Sequence, residues 1–135
     1  MNKKMMVVSG QRKNAVAKVR IQDGTGKIFY NILPYEQLGM FHKLALDEPI
    51  KICEQTLGKF PFDIAIKTSG GGKESQVEAA RLGIAKALVQ FTGSIELKKA
   101  FLLYDRNLLV ADTRRKEAYK PGDSKARSKR QTSYR

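Results

Sequence analysis

Residues 75–91, SQVEAARLGIAKALVQF, are the stretch that decides the fold. Apolar residues recur along it at every third or fourth position, which places them on one side of a helix. They are Val77, Ala80, Ile84, Leu88 and Phe91. We therefore predict an amphipathic helix here, covered by apolar surface from the segments on either side.

A second helix is predicted directly after the first. Gly93 and Ser94 interrupt the helical pattern, and residues 95–104 resume it with apolar residues on one side. Residues 105–111 have no pattern that favours either a helix or a strand.

The segments before the central helix combine helical and strand patterns. Residues 60–67 have an apolar residue at every second position, which predicts a half-buried strand. Residues 34–38 begin with proline and predict a short helix that stops at Gly39. A further helical segment follows, and we expect Pro49 to interrupt it, because proline lacks the backbone donor and clashes with the preceding turn.

The N-terminal region predicts an antiparallel meander of three strands. Residues 5–8 and 15–22 are the first two strands, and residues 27–31 are the third. Residues 23–26, DGTG, have the composition of a tight hairpin turn between the second strand and the third.

The excess of basic residues lies at the two ends of the chain. The 135 residues include 26 Lys and Arg against 13 Asp and Glu, a net charge of +13. Residues 1–20 carry six basic residues and no acidic one, residues 113–135 carry nine against two, and residues 21–112 carry 11 of each. We interpret the two ends as cationic elements that bind a polyanion.

The length of the chain favours one domain with one hydrophobic core. We predict a compact domain over residues 1–111 and an extended basic tail over residues 112–135. Beyond Ala111 the sequence contains no Leu, Ile, Val, Met or Phe. Such a segment buries too little apolar area to offset an ordering cost of about 1 to 2 kcal/mol per residue.

Cys53 is the only cysteine and His42 the only histidine. We therefore expect no internal disulfide, no metal and no other cofactor, with Cys53 a buried apolar residue and His42 an ordinary structural one. Residues 5–8 are too short for the apolar part of a signal peptide, and no stretch approaches the roughly 20 apolar residues of a membrane helix. We expect a cytoplasmic protein with no membrane partner.

Residues 69–73, SGGGK, invite comparison with the phosphate-binding loops of nucleotide-binding proteins. Glu74, however, stands where such a loop has Ser or Thr, and its charge would repel a phosphate. We expect a strand-to-helix turn whose Lys73 touches an RNA backbone, and no small-molecule substrate.

Arg81 projects on nearly the same side of the central helix as the apolar residues. A charge at that position needs a partner. Two interpretations remain open: a structural role, as a snorkelling side chain or in an ion pair with an acid such as Asp105 or Asp112, or a contact with an RNA phosphate.

The C-terminal segment is the strongest indication of function. Its basic residues are interspersed with Ser, Thr, Gln and the tyrosines Tyr119 and Tyr134. Such a composition can follow phosphates and stack on bases. On charge alone, a solvated tail or a targeting signal is the alternative.

Three motifs together resemble the ribosomal protein S9 family, the ninth protein of the small ribosomal subunit. They are QRKNAVAKVRIQDGTGKIFYN at residues 11–31, SGGGKESQVEAARLGIAKALVQF at residues 69–91, and DTRRKEAYKPGDSKARSKRQTSYR at residues 112–135. The final SYR resembles the archaeal and eukaryotic members. The resemblance implies an α+β fold, a two-layer sheet-and-helix domain of the ribosomal protein S5 domain 2-like type, with an extended basic C-terminal tail.

The same resemblance implies a structural constituent of the small subunit's head, with neighbouring head proteins as further partners. Residues expected at small-subunit ribosomal RNA are Arg12, Lys13, Lys18, Lys73, Arg81, Arg114, Arg115, Lys116, Lys120, Lys125 and Arg127. Residues expected at the peptidyl-site transfer RNA are Lys129, Arg130, Tyr134 and Arg135.

Two other functions use the same features. A free-standing DNA-compacting protein would bind through the same basic ends, and an enzyme related to small-molecule kinases would use the glycine-rich loop. Glu74 and the lack of an assignable constellation of Ser, Asp and Lys argue against the enzyme. We predict an RNA-binding protein without catalytic chemistry.

Overall fold

A computed structural model of the chain describes residues 4–110. The elements, in chain order, are β1 (Met5–Arg12), β2 (Ala15–Asp23), β3 (Ile28–Tyr30), β4 (Leu33–Pro34), α1 (Met40–Leu57), β5 (Phe62–Ser69), α2 (Lys73–Thr92) and α3 (Ile95–Tyr104). Short 3-10 helices span Tyr35–Gln37 and Arg106–Leu108. The tail predicted over residues 112–135 lies outside the described residues, so the predicted domain division stays a prediction.

The five strands form one mixed sheet in the order β1-β2-β5-β3-β4. All neighbours are antiparallel except β3 and β5, which are parallel and are connected through α1. The predicted meander is therefore wrong at its third strand, because β5 lies between β2 and β3. This position gives the apolar strand β5, with Ile64 and Ile66 buried, a hydrogen-bonding partner on each side.

The predicted hairpin turn at residues 23–26 is also wrong, because β2 and β3 do not pair with each other. The connection between them closes around a side chain of β5. Oδ1 of Asp63 accepts hydrogen bonds from the backbone N–H groups of Thr25, Gly26 and Lys27 at 3.0, 3.2 and 3.1 Å. A Cβ atom on Gly24 would lie 2.0 Å from Oδ2 of Asp63, so only glycine leaves room for the carboxylate. These hydrogen bonds, that of Lys27 first, lower the pKa of Asp63.

The helix α2 packs on the sheet and confirms the central prediction of the sequence. It extends the predicted helix by two residues at the start and one at the end, and α3 has the predicted bounds. Its contact with the sheet is close, since a Cβ on Gly10 of β1 would lie 2.2 Å from the Ala79 carbonyl oxygen. Together with α1 and α3, which pack against α2, it makes the predicted two-layer α+β fold.

The helix α1 continues through Pro49, so the predicted interruption is wrong. Leu46, Pro49, Ile50 and Cys53 are all buried and lie at helical spacing on one side. A proline inside a helix costs about 3 kcal/mol through its missing donor and its clash with the preceding turn. Burial of this apolar side in the core offsets that cost. None of the helices in residues 4–110 is long and apolar enough to cross a membrane.

The face of the sheet away from the helices is exposed within the described part of the chain. We call the following set of outward-facing residues the open face: Val7, Lys18, Arg20, Phe29, Ala65 and Lys67.

We expect Asp63→Asn to lower the melting temperature at pH 7 by a few degrees, because the amide oxygen is a weaker acceptor for the three backbone donors. The carboxylate, whose pKa is lowered in the folded state, contributes stability that is present above its unfolded pKa of about 4 and is lost as the pH falls. The variant should therefore also depend less on pH below about 4.

Thermal melts between pH 2.5 and 7 measure both effects. Asp23→Asn is the matched control, since Asp23 is exposed at the end of β2 and its side chain accepts none of these three hydrogen bonds. Equal pH profiles for the two variants would contradict the role given to Asp63.

Candidate nucleic-acid interface

The loop between β1 and β2 holds Lys13 at an exposed tip. Arg12 pairs with Ala15 across the two strands, which leaves a loop of two residues. Lys13 has a left-handed φ of 53°, a conformation that costs a residue with a Cβ about 1 kcal/mol relative to its usual one. The predicted first strand, residues 5–8, extends to Arg12, because β2 offers a pairing partner along its whole length.

The glycine-rich loop before α2 packs directly against this tip. A Cβ on Gly70 would lie 2.5 Å from the Asn14 carbonyl oxygen, and a Cβ on Gly71 would lie 3.0 Å from the Ala15 nitrogen. The glycines are thus required by the approach of two backbones, and the predicted strand-to-helix turn is confirmed.

We use the name loop cluster for residues 13–14, residues 70–72 and Lys73, the first residue of α2. Lys13 and Lys73 are both exposed on it. Two predicted RNA contacts that are 60 positions apart in the sequence therefore lie in neighbouring loops.

Arg12 lies beside the start of the segment that leads to the C-terminus. Its Nε is 2.8 Å from Oε2 of Glu78, and its side chain is 15% exposed. Arg12, Arg81, Asp105 and Asn107 line one cavity of about 210 Å³. The fold thus places Arg12 of the N-terminal basic region next to the residues that lead towards the C-terminal one.

Arg81 forms an ion pair, as one of its two interpretations predicted. Its Nε donates to Oε2 of Glu48 at 2.7 Å, and its Nη2 donates to Oδ2 of Asp105 at 3.3 Å. The side chain is 17% exposed and connects α2 to α1 and to the residue that ends α3. The other acid considered, Asp112, lies outside the described residues, and a contact of Arg81 with RNA stays a prediction.

Lys18 lies on the open face, and the basic residues beside it there were not predicted from the sequence. Lys67 on β5 is its direct cross-strand partner, and Arg20 is the next outward residue of β2. The alternation of residues 60–67 already indicates that Lys67 points away from the core. The distribution of net charge along the chain does not single out Lys67, because the segment around it is neutral.

His42 and Cys53 have structural roles in the described part of the chain. Nε2 of His42 lies 3.1 Å from Oε1 of Glu74, which joins the start of α1 to the start of α2. Cys53 is buried, and burial together with the charge of Glu54 raises its thiol pKa to about 11. Within residues 4–110, no group of three His, Cys, Asp or Glu side chains is placed to hold a metal ion.

The remaining predicted contacts lie outside the described residues. They are Arg114, Arg115, Lys116, Lys120, Lys125 and Arg127 for ribosomal RNA, and Lys129, Arg130, Tyr134 and Arg135 for transfer RNA. Their assignment stays a prediction.

Comparison with known proteins identifies close relatives. The family profile described as ribosomal protein S9/S16 matches residues 10–135. A protein of Methanococcus vannielii named small ribosomal subunit protein uS9 is 42% identical, over 98% of this chain and 99% of the relative. Two proteins of the same name from Methanococcus maripaludis, strains C7 and C5, are each 43% identical over the same shares.

We expect Arg81→Gln to lower the free energy of unfolding by about 1 to 3 kcal/mol, because it removes two charged hydrogen bonds and leaves two carboxylates unpaired. The loss stays below that of a fully buried pair, since Glu48 and Asp105 are 36% and 38% exposed and water can solvate them. Urea unfolding measures it. Lys86→Gln on the same helix is the control, and an equal loss there would contradict the role of the ion pairs.

Proposed function

Because this chain belongs to the ribosomal protein S9/S16 family, we propose that it is a structural constituent of the small ribosomal subunit that binds ribosomal RNA of the head. Its further partners would be neighbouring head proteins, and its location would be the cytoplasmic ribosome. We assign it no catalytic step.

The observation that carries this proposal is the extent of the family match, residues 10–135. The match includes the loop cluster, the N-terminal basic residues from Arg12 to Arg20 and the whole C-terminal basic segment. A resemblance confined to the core would support the fold alone.

The loop cluster supports a contact with the RNA backbone. Lys13 and Lys73 offer two exposed charges there, and the start of α2 adds unpaired N–H groups and the positive end of its dipole. Gly72 at the N-cap of α2 supplies no side-chain hydrogen bond to this turn. The exposed carboxylate of Glu74 in the same turn opposes the attraction of a phosphate, so we assign the phosphate contact to the two lysines, which fix orientation without reading the bases.

The remaining RNA contacts are divided between two partners. We propose that Lys129, Arg130, Tyr134 and Arg135 reach the peptidyl-site transfer RNA, while the basic residues at 114–127 hold ribosomal RNA. Lys18 adds a contact from the sheet. Arg12 and Arg81 complete the set of ribosomal RNA contacts. Each should contribute less to RNA affinity than an exposed lysine, because its guanidinium group already forms an ion pair within the protein.

Removal of residues 121–135 should make RNA binding less dependent on salt. The deletion removes five basic residues, and each phosphate neutralised on unpaired RNA contributes about 0.7 to the slope of log affinity against log salt. We expect the slope to fall by up to about 3.5 units. Binding to a transcript of the small-subunit head, measured at several salt concentrations, gives the slope.

The matched control replaces the five basic residues by Gln at full length and should give the same change. An unchanged slope would contradict the proposal. Equal affinity for duplex DNA at physiological salt would favour the DNA-compacting alternative.

Lys13→Gly should weaken RNA binding while leaving the stability of the fold nearly unchanged. Glycine accepts the left-handed φ, so the free energy of unfolding should change by less than about 1 kcal/mol, in either direction. The loss of one phosphate contact should lower the salt slope by about 0.7. Lys13→Arg keeps the charge and should keep the slope. Equal slopes for the two variants would remove Lys13 from the interface.

A further inference from the structure

The open face contains a shallow groove whose floor crosses four strands. Val7, Arg20, Ala65 and Phe29 are successive cross-strand partners from β1 to β3. The loop between β3 and β4 borders the groove with Ile32, and the volume enclosed is about 650 Å³. The groove therefore runs across the strands from β1 to β3.

The charges in this groove repel one another. Lys18 and Lys67 are directly opposed across β2 and β5, and Arg20 lies one row away. Like charges opposed across a strand pair destabilise a sheet. Among the described residues none of the three makes an ion pair, and the residues lining the groove include no carboxylate.

The nearest acid of the sheet is Asp63, one row beyond Ala65 on β5. It lines a neighbouring cavity with Arg20, but among the described residues the two make no ion pair, and its Oδ1 accepts from three backbone N–H groups. A bound polyanion would neutralise all three cations without displacing any internal contact. The charge of the groove is therefore complementary to nucleic acid and not to a basic or neutral protein surface.

The rim of the groove is held in an unfavourable conformation. Asn31 and Ile32 both have left-handed φ angles, 50° and 80°. For Ile32, a β-branched residue, this is a rare conformation, and its side chain is 92% exposed. The Asn31 side chain fixes the loop through Thr68, with hydrogen bonds of 2.7 and 2.9 Å. Strained residues of this kind concentrate where a protein contacts a ligand.

The floor of the groove offers an aromatic ring to a base. Phe29 is 40% exposed, and its cross-strand partner Ala65 is too small to cover the ring. The bases of a paired A-form helix are stacked on each other, whereas unpaired bases can stack on an aromatic side chain. The combination of one ring with three cations matches surfaces that bind single strands.

We infer that the open face binds an unpaired segment of RNA, with its phosphates on Lys18, Arg20 and Lys67 and a base stacked on Phe29. The inference rests on the proposed function and adds a third contact surface to the loop cluster and the C-terminal segment. Ile32 packs against the sugar or base that leaves the groove.

Binding of a 12-nucleotide oligouridylate to the full chain tests the inference by fluorescence anisotropy. The triple variant Lys18→Gln, Arg20→Gln and Lys67→Gln should lower the salt slope by about 2 units. Its folded state should be no less stable than the original, because it removes a repulsion. Phe29→Leu keeps the buried part of the side chain apolar and should weaken binding about tenfold, the effect of one lost base stack.

The matched control is Lys51→Gln, Lys98→Gln and Lys99→Gln, three exposed cations on α1 and α3. It removes the same charge and should leave the slope nearly unchanged. Equal losses in the two triple variants, or no effect of Phe29→Leu, would overturn the inference. If those results appear while the C-terminal and Lys13 variants still lose affinity for the head transcript, the proposed function stands and only this surface is withdrawn.

A crosslink distinguishes RNA from a protein that docks on the same face. Ile32→Cys can carry a benzophenone group on its thiol, because Cys53 is fully buried and its raised pKa of about 11 keeps it unreactive. In small subunits assembled with the labelled chain, irradiation should attach ribosomal RNA. Adducts to ribosomal proteins alone would overturn the inference.

Discussion

The structure depends on the close packing of α2 on β1 and β2. Gly10 and Gly83 face each other there, and a Cβ on Gly83 would lie 2.6 Å from Cγ2 of Val19. Because no side chain separates the two backbones, a shift of the helix along the sheet would bring bulkier residues into this contact. The loops at the ends of β1 and before α2 are therefore fixed too, and with them the positions of Lys13 and Lys73.

Elements decided by local pattern were predictable, and pairings between distant segments were not. The period of residues 75–91 and 95–104 predicted α2 and α3 almost to the residue, because each helix buries one continuous side. The position of β5 between β2 and β3 depends on partners that the turn at residues 23–26 cannot indicate. Pro49 failed as a helix breaker for the same reason, since the core surrounding it outweighs its local preference.

The candidate interface was predictable where its cations belong to a local sequence motif. Lys13 and Lys73 were found from their motifs, but Lys67 belongs to a neutral segment and joins Lys18 only through the register of β2 and β5. For Arg81, the need for a partner was predictable but one of the partners was not. Its position among apolar residues indicated that its charge must be paired, whereas Glu48 belongs to α1 and nothing in the local sequence pattern indicates that contact.

The hold of Arg81 on Asp105 has a consequence for avidity. Asp105 lies near the end of the described residues, and the ion pair holds this part of the chain close to Arg12. If the two basic ends bind RNA as proposed, two elements held at neighbouring points act as a bivalent ligand, and engagement of one raises the effective concentration of the other. Without the ion pair between Arg81 and Asp105, α3 could pivot, and the C-terminal end would search a larger volume before it met the RNA. The affinity of the bivalent interaction would then fall although no contact with the RNA had changed.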